Sequence, residues 1–96
     1  SDADAIAFQA ARAGAQAIDP ASLRTATPTL NADQAPLLAL DAAAALFAAN
    51  ETTGRVVSVS VAPDRVTVVV EITEAGRTVT GQGTARLAVG VGGEGT

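Results

Sequence analysis

The chain contains no histidine, cysteine, lysine, methionine, tryptophan or tyrosine. Without histidine or cysteine the common zinc, haem and iron–sulfur sites cannot be built. Cysteine nucleophiles and Ser-His-Asp triads are excluded as well. Without lysine there is neither a Schiff-base amine nor the phosphate-gripping lysine of a P-loop. Phe8 and Phe47 are the only aromatic residues among 96, too few for a platform that stacks bases or sugars. The six cations are arginines set singly along the chain, and the net charge is −4. That pattern makes no basic footprint for nucleic acid. The lack of cysteine excludes disulfide stapling and says nothing of compartment. No run of about 18–20 apolar residues is long enough to span a bilayer. No basic head followed by an apolar core marks a signal peptide.

What is present is mostly alanine and valine. Hydrophobic residues make up 48% of the chain, enough for the core of one small domain, expected over residues 1–96. Alanine fills little volume, so close backbone approach must supply what bulk does not. Composition changes at Gly54, from Ala-rich to Val/Thr/Gly-rich. Helices followed by strands imply an α+β fold, with two N-terminal helices packed on one face of a three-stranded antiparallel sheet.

Residues 2–18 read as the first helix, with Ser1 or Asp2 as cap and Asp2 and Asp4 at its positive end. At about 100° per residue, Ile6, Ala10, Ala13, Gly14 and Ala17 share one face, and Gln9, Arg12 and Gln16 lie opposite. Asp19-Pro20 ends it, and a short turn follows over 20–24. Residues 25–30 are a linker. Asn31 and Gln34 have capping-box spacing, with Asp33 as the alternative cap. Pro36 is tolerable only in a first turn, so the second helix spans 33–49. Leu37, Leu40, Ala44 and Phe47 are its expected buried stripe, with Phe47 as a core anchor.

The period then changes from 3.6 to 2. Strands are expected at 55–62, 65–73 and 77–91, with a tight turn at Pro63-Asp64, a loop at Glu74-Ala75-Gly76, and a flexible tail over 92–96. Val57, Val59 and Val61 alternate with Ser58 and Ser60. Val66, Val68, Val70 and Ile72 share one face of the second strand. The inward set of the third strand is Val79, Gly81, Gly83, Ala85, Leu87 and Val89. Its central glycines mark a close approach. The first helix offers equally small residues, so it is expected to cross the sheet over Gly81–Ala85, closer than a normal layer gap of about 10 Å.

Few residues point to chemistry. Gly81-x-Gly83 and Gly90-x-Gly92-Gly93 lack the following helix that a nucleotide loop needs. Asp2/Asp4 and Glu71/Glu74 are the only acid clusters, and neither has the alternating oxygens, glycine and closing Glu of a calcium loop. No catalytic, cofactor or metal residue is assigned, and the chain reads as a non-enzyme. Asn50-Glu51-Thr52 has the form of a glycosylation sequon, discounted because the Ala/Arg-rich, Lys-free composition looks like a bacterial coding bias. Thr78, Thr80 and Thr84, with Gln82 between and Thr67 and Thr73 beside them, form a flat hydroxyl surface suited to a small ligand or glycan; the ordinary reading is a solvated strand face. Phe8 projects about 160° from Ile6. It is either covered by the second helix or residues 20–30, or it is an exposed partner contact together with Arg12.

The stretch Ala5–Asp19 (AIAFQAARAGAQAID), then Leu23-Arg24, an Ala-rich helix at 41–49 and the Val/Thr hairpins together resemble the TadE/TadG-like minor pilins of the actinobacterial tight-adherence (Flp) pilus system. The resemblance covers nearly the whole chain, and the run AARAGAQAID is its most specific part. It implies a pilin-like structural module at the cell surface, with a role in pilus assembly or adhesion and other pilus subunits as partners. It also implies a membrane anchor directly upstream. The chain starts at Ser1, not Met, and reads as a soluble excised fragment; about 20 apolar residues are expected shortly before Asp2 in the gene.

Overall fold

The computed structural model describes residues 2–87. Helix α1 spans Asp2–Gly14 and α2 spans Gln34–Ala49, with a 3-10 turn at Pro20–Arg24 between them. Strands β1 (Thr53–Ala62), β2 (Arg65–Glu74) and β3 (Arg77–Arg86) form one antiparallel sheet in the order β1-β2-β3. Both helices pack on one face of that sheet, so the fold is α+β. The inner face of β2 carries Val66, Val68, Val70 and Ile72, all fully buried.

α1 lies along β3 and touches it with backbone. A Cβ on Gly81 would overlap the main chain at Ala3 and Asp4, and one on Gly83 would overlap the N and Cα of Phe8. The two elements are nearly commensurate: four helical residues rise about 6.0 Å, and two strand residues about 6.8 Å. Ala3 therefore falls over Gly81 and Ala7 over Gly83, and the same step reaches Ala11 and Ala85, both buried. Small opposite small is what lets the helix sit this low.

α1 ends at Gly14, four residues before the expected end at 18. The last turn tightens, with Gln16 N–H donating to Ala13 and Ala17 N–H to Gly14. The chain is then drawn into an extended bridge, Ile18 against Leu30, with Asp19 N–H bonded to Thr29 O and Asn31 N–H to Ala17 O. The linker over 25–30 is thus tied to the helix end. Ser22, buried, holds it further: its hydroxyl donates to Asp19 O at 2.7 Å and accepts from Thr29 N–H at 2.8 Å. Asp19 caps the 3-10 turn through Ala21 N–H.

Asn31 caps α2. Its side-chain oxygen accepts from the N–H groups of Asp33 and Gln34, while the Asp33 side chain makes no capping bond. The buried face of α2 is not the leucine stripe. Ala35, Ala39 and Ala43 are fully buried, with Leu38, Ala42 and Leu46 beside them. Leu37 is 60% and Leu40 43% exposed, and Ala44 is exposed as well. Phe47 is half-buried at the core's rim, against Gly54, rather than a core anchor. The cause is α1. A Cβ on Gly14 would lie 2.9 Å from Ala35 O and 3.3 Å from the Ala39 Cβ, a spacing with no room for a leucine. Alanines face the small-residue helix, and Leu37 and Leu40 turn outward.

The strands differ from expectation at their ends and at one bulge. β1 begins at Thr53 and β2 reaches Glu74. β3 ends at Arg86; Leu87 has left the strand, though its N–H still bonds Asp64 O. The expected continuation to 91, with Val89, and the tail over 92–96 lie outside the described residues, as does Ser1 as a cap. In β1 the register shifts between Val56 and Ser58. This bulge turns Val57 outward, 44% exposed, and puts Val56 on the inner side with Val59 and Val61. The β2–β3 loop is the two-residue turn Ala75-Gly76, both at positive φ.

Candidate functional site

Three surfaces and two recesses merit attention. The first surface is the outer flank of α1. Phe8 is 45% exposed, so it is not enclosed by the rest of the fold. Its backbone is fixed on Gly83, in the outer strand β3 of the described sheet. The Arg12 guanidinium, one turn on, lies 5.9 Å from the ring centroid, a cation–π contact. One turn earlier, Asp4 accepts the Gln82 N–H at 3.0 Å, which occupies one outward donor of that edge strand. The two residues named from sequence as a partner contact, Phe8 and Arg12, are thus neighbours on one exposed flank.

The second surface is the outer flank of α2. Leu37, Leu40 and Ala44 have the i, i+3, i+7 spacing of a helix-packing seam, with exposed Asp41 at its margin. Sequence reasoning found the stripe but turned it inward. The available signal was that α2 is apolar on nearly every side, so two stripes competed for the core.

The third surface is the outer sheet face. Thr67 and Thr84 pair across β2–β3 and share a hydrogen bond of 2.9 Å between their hydroxyls. Thr73 pairs with Thr78, and Glu71 with Thr80. Arg55 bonds Glu71 at 2.9 Å, and Asp64 accepts from Arg65 and Arg86. These pairs are exposed and contribute little stability. A shallow recess of about 160 Å³ at this end is lined by Thr53, Gly54, Arg55, Glu71, Thr73 and Thr78. A second recess, about 250 Å³, lies between Thr29, Leu30, Ala32, Val61, Ala62 and Pro63, with no charged group among the described residues of its lining.

Among the described residues no group of three acids comes together to hold a metal ion. Nor is any described helix long and apolar enough to cross a membrane. Comparison with family models, curated proteins and solved structures finds no match to this chain. Charge is divided between the layers. Residues 2–54 carry six acids against Arg12 and Arg24; residues 55–87 carry Arg55, Arg65, Arg77 and Arg86 against three acids.

Proposed function

We propose that this chain is a non-enzymatic structural subunit, a minor-pilin-like module of an extracytoplasmic pilus or secretion assembly, held at the membrane by an upstream helix. The observation that carries this reading is the helix layer. α1 is seated backbone-to-backbone on Gly81 and Gly83, leaving Phe8, Leu37 and Leu40 turned outward. Apolar residues grouped on an exposed helix flank, as Leu37 and Leu40 are, suit contacts with other subunits. The AARAGAQAID run and its pilin resemblance point the same way. The test uses the full-length protein in its native host, carrying a short epitope. Fractionation with the membrane and with sheared surface filaments is the expected result. Recovery in the cytoplasm, away from both, would overturn the reading.

A second reading rests on the outer sheet face, where paired threonines make a flat hydroxyl surface beside the Arg55–Glu71 recess. Such a face would serve a small ligand or glycan. Saturable binding on a glycan array, lost on Thr80→Val, would favour it over the structural role.

A further inference from the structure

We infer that copies of this chain bind one another side by side, the Phe8/Arg12 flank of α1 in one copy docking on the Leu37/Leu40/Asp41 flank of α2 in the next. The inference rests on the structural-subunit reading and names the surfaces through which such subunits meet.

The two flanks face opposite ways. The backbone of α1 at Phe8 rests on Gly83 of β3, and Asp4 on the same side reaches Gln82, so this flank overhangs the β3 edge. α2 meets α1 through Ala35 and Ala39, and meets β1 through Phe47 at Gly54. Leu40, seven residues before Phe47, shares its side, away from α1 and above the β1 edge. Paired helices lie about 8–10 Å apart and are each about 10 Å wide, whereas three strands span about 10 Å between outer axes. Both helix flanks therefore project past the sheet edges and meet a neighbour first.

Their chemistry is complementary. Phe8, Leu37 and Leu40 are the exposed large hydrophobic residues of the two helices, and they sit on these two flanks. Arg12 lies beside Phe8, and Asp41 beside Leu40. Asp41 forms no ion pair among the described residues. α2 contains no basic residue, so its flank asks for a cation from outside. The contact between copies repeats a packing that the fold already contains. Within one molecule Gly14 lies between Ala35 and Ala39 of α2, and the helices run antiparallel. In the same register, Arg12 falls level with Ala39, one and two residues from Leu40 and Asp41. Phe8 falls level with Ala43, next to exposed Ala44, whose small side chain leaves room for the ring. The joined surfaces are different patches, so the association is head-to-tail and extends into a row or ring rather than closing as a two-fold dimer.

The test is self-association of the purified 96-residue chain, followed by sedimentation velocity up to millimolar concentration at low salt. All substituted positions are exposed, and a circular-dichroism melt verifies that each variant is folded. The wild type should form concentration-dependent oligomers larger than dimers. Leu40→Arg should weaken association more than about tenfold, as loss of a central apolar contact does. Arg12→Asp and Asp41→Arg should each weaken it roughly two- to fivefold. The double variant Arg12→Asp/Asp41→Arg should recover, because the pair is restored with reversed sign. A monomer at every concentration, indifference to Leu40→Arg, or no recovery in the double variant would overturn the proposal. If the interface fails while the full-length protein still fractionates with filaments, the functional reading stands without this contact. If the charge swap recovers association but the protein is cytoplasmic, the interface stands and the functional reading falls.

Discussion

One methyl group at Gly83 is enough to test how α1 is seated. A Cβ there would overlap the Phe8 main chain and lie 2.7 Å from the Ala7 carbonyl carbon. Those are backbone atoms, which cannot swing away as a side-chain tip does. Gly83→Ala is expected to cost about 2–3 kcal/mol by overpacking, and Gly83→Val at least as much despite better strand propensity. Equilibrium urea unfolding measures both, and a gain in stability would show that the helix is not seated on this glycine. Ala75 is the opposite case. It holds φ +50 as the first residue of a tight hairpin turn whose second residue, Gly76, has φ +78. A left-handed conformation suits Asn far better than Ala. Ala75→Asn should therefore raise stability by up to about 1 kcal/mol, seen as a higher urea midpoint with an unchanged slope.

At the scale of elements, α2 decides its orientation by what it meets. Leu37 and Leu40 have the heptad spacing of a buried seam, yet α1 presents Gly14 and alanines, and only an alanine face fits against them. Dispersion contacts over a close helix–helix approach replace the area that two leucines would have buried. Leu40→Gln is accordingly expected to change the monomer's stability by less than about 0.5 kcal/mol, as exposed substitutions do. Ala39→Leu should cost about 1–3 kcal/mol, because the added atoms enter the Gly14 contact. Thermal unfolding of the pair settles the assignment: the reverse order would mean that the leucine stripe is inside. Phe47→Ala should fall near about 1–2 kcal/mol, below the range of a fully buried aromatic, since its ring lies at the rim over Gly54.

Across the whole molecule, the described acids are spread over helix starts, the middle of α2 at Asp41, loops and the sheet surface, and no three of them converge. Ca²⁺ or Zn²⁺ at micromolar concentration is expected to leave the thermal midpoint unchanged. A ligand of the native state must raise it by linkage, so a rise of several degrees would reveal a site. The division of charge, acidic helix layer against a mildly basic sheet, makes the molecule electrically two-sided. Sheet-face ion pairs are exposed and screened, so salt should affect association between copies more than folding.

The sequence by itself determined the class of every described element and the seating of α1. Alternation of valine with polar residues needs only the two-residue period of a strand, and Val66, Val68, Val70 and Ile72 are buried as that period requires. Gly81 and Gly83 opposite a run of alanines admit one packing, because only the absence of side chains lets a helix backbone rest on a strand. Helical spacing put Phe8 and Arg12 off the apolar face, and both are exposed, though for Phe8 the spacing left open whether other elements would cover it. Tertiary structure decided the rest. α1 stops at Gly14 because residues 17–19 are needed to pair with 29–31, a contact that no local pattern announces. Val57 turns outward because a bulge adds a residue to β1, and strand alternation has no mark for where that occurs. The face of α2 was undetermined because both stripes are apolar, and hydrophobicity does not distinguish one from the other. The choice fell to steric fit: against Gly14 and the alanines of α1, only the Ala35/Ala39/Ala43 stripe comes close enough to pack.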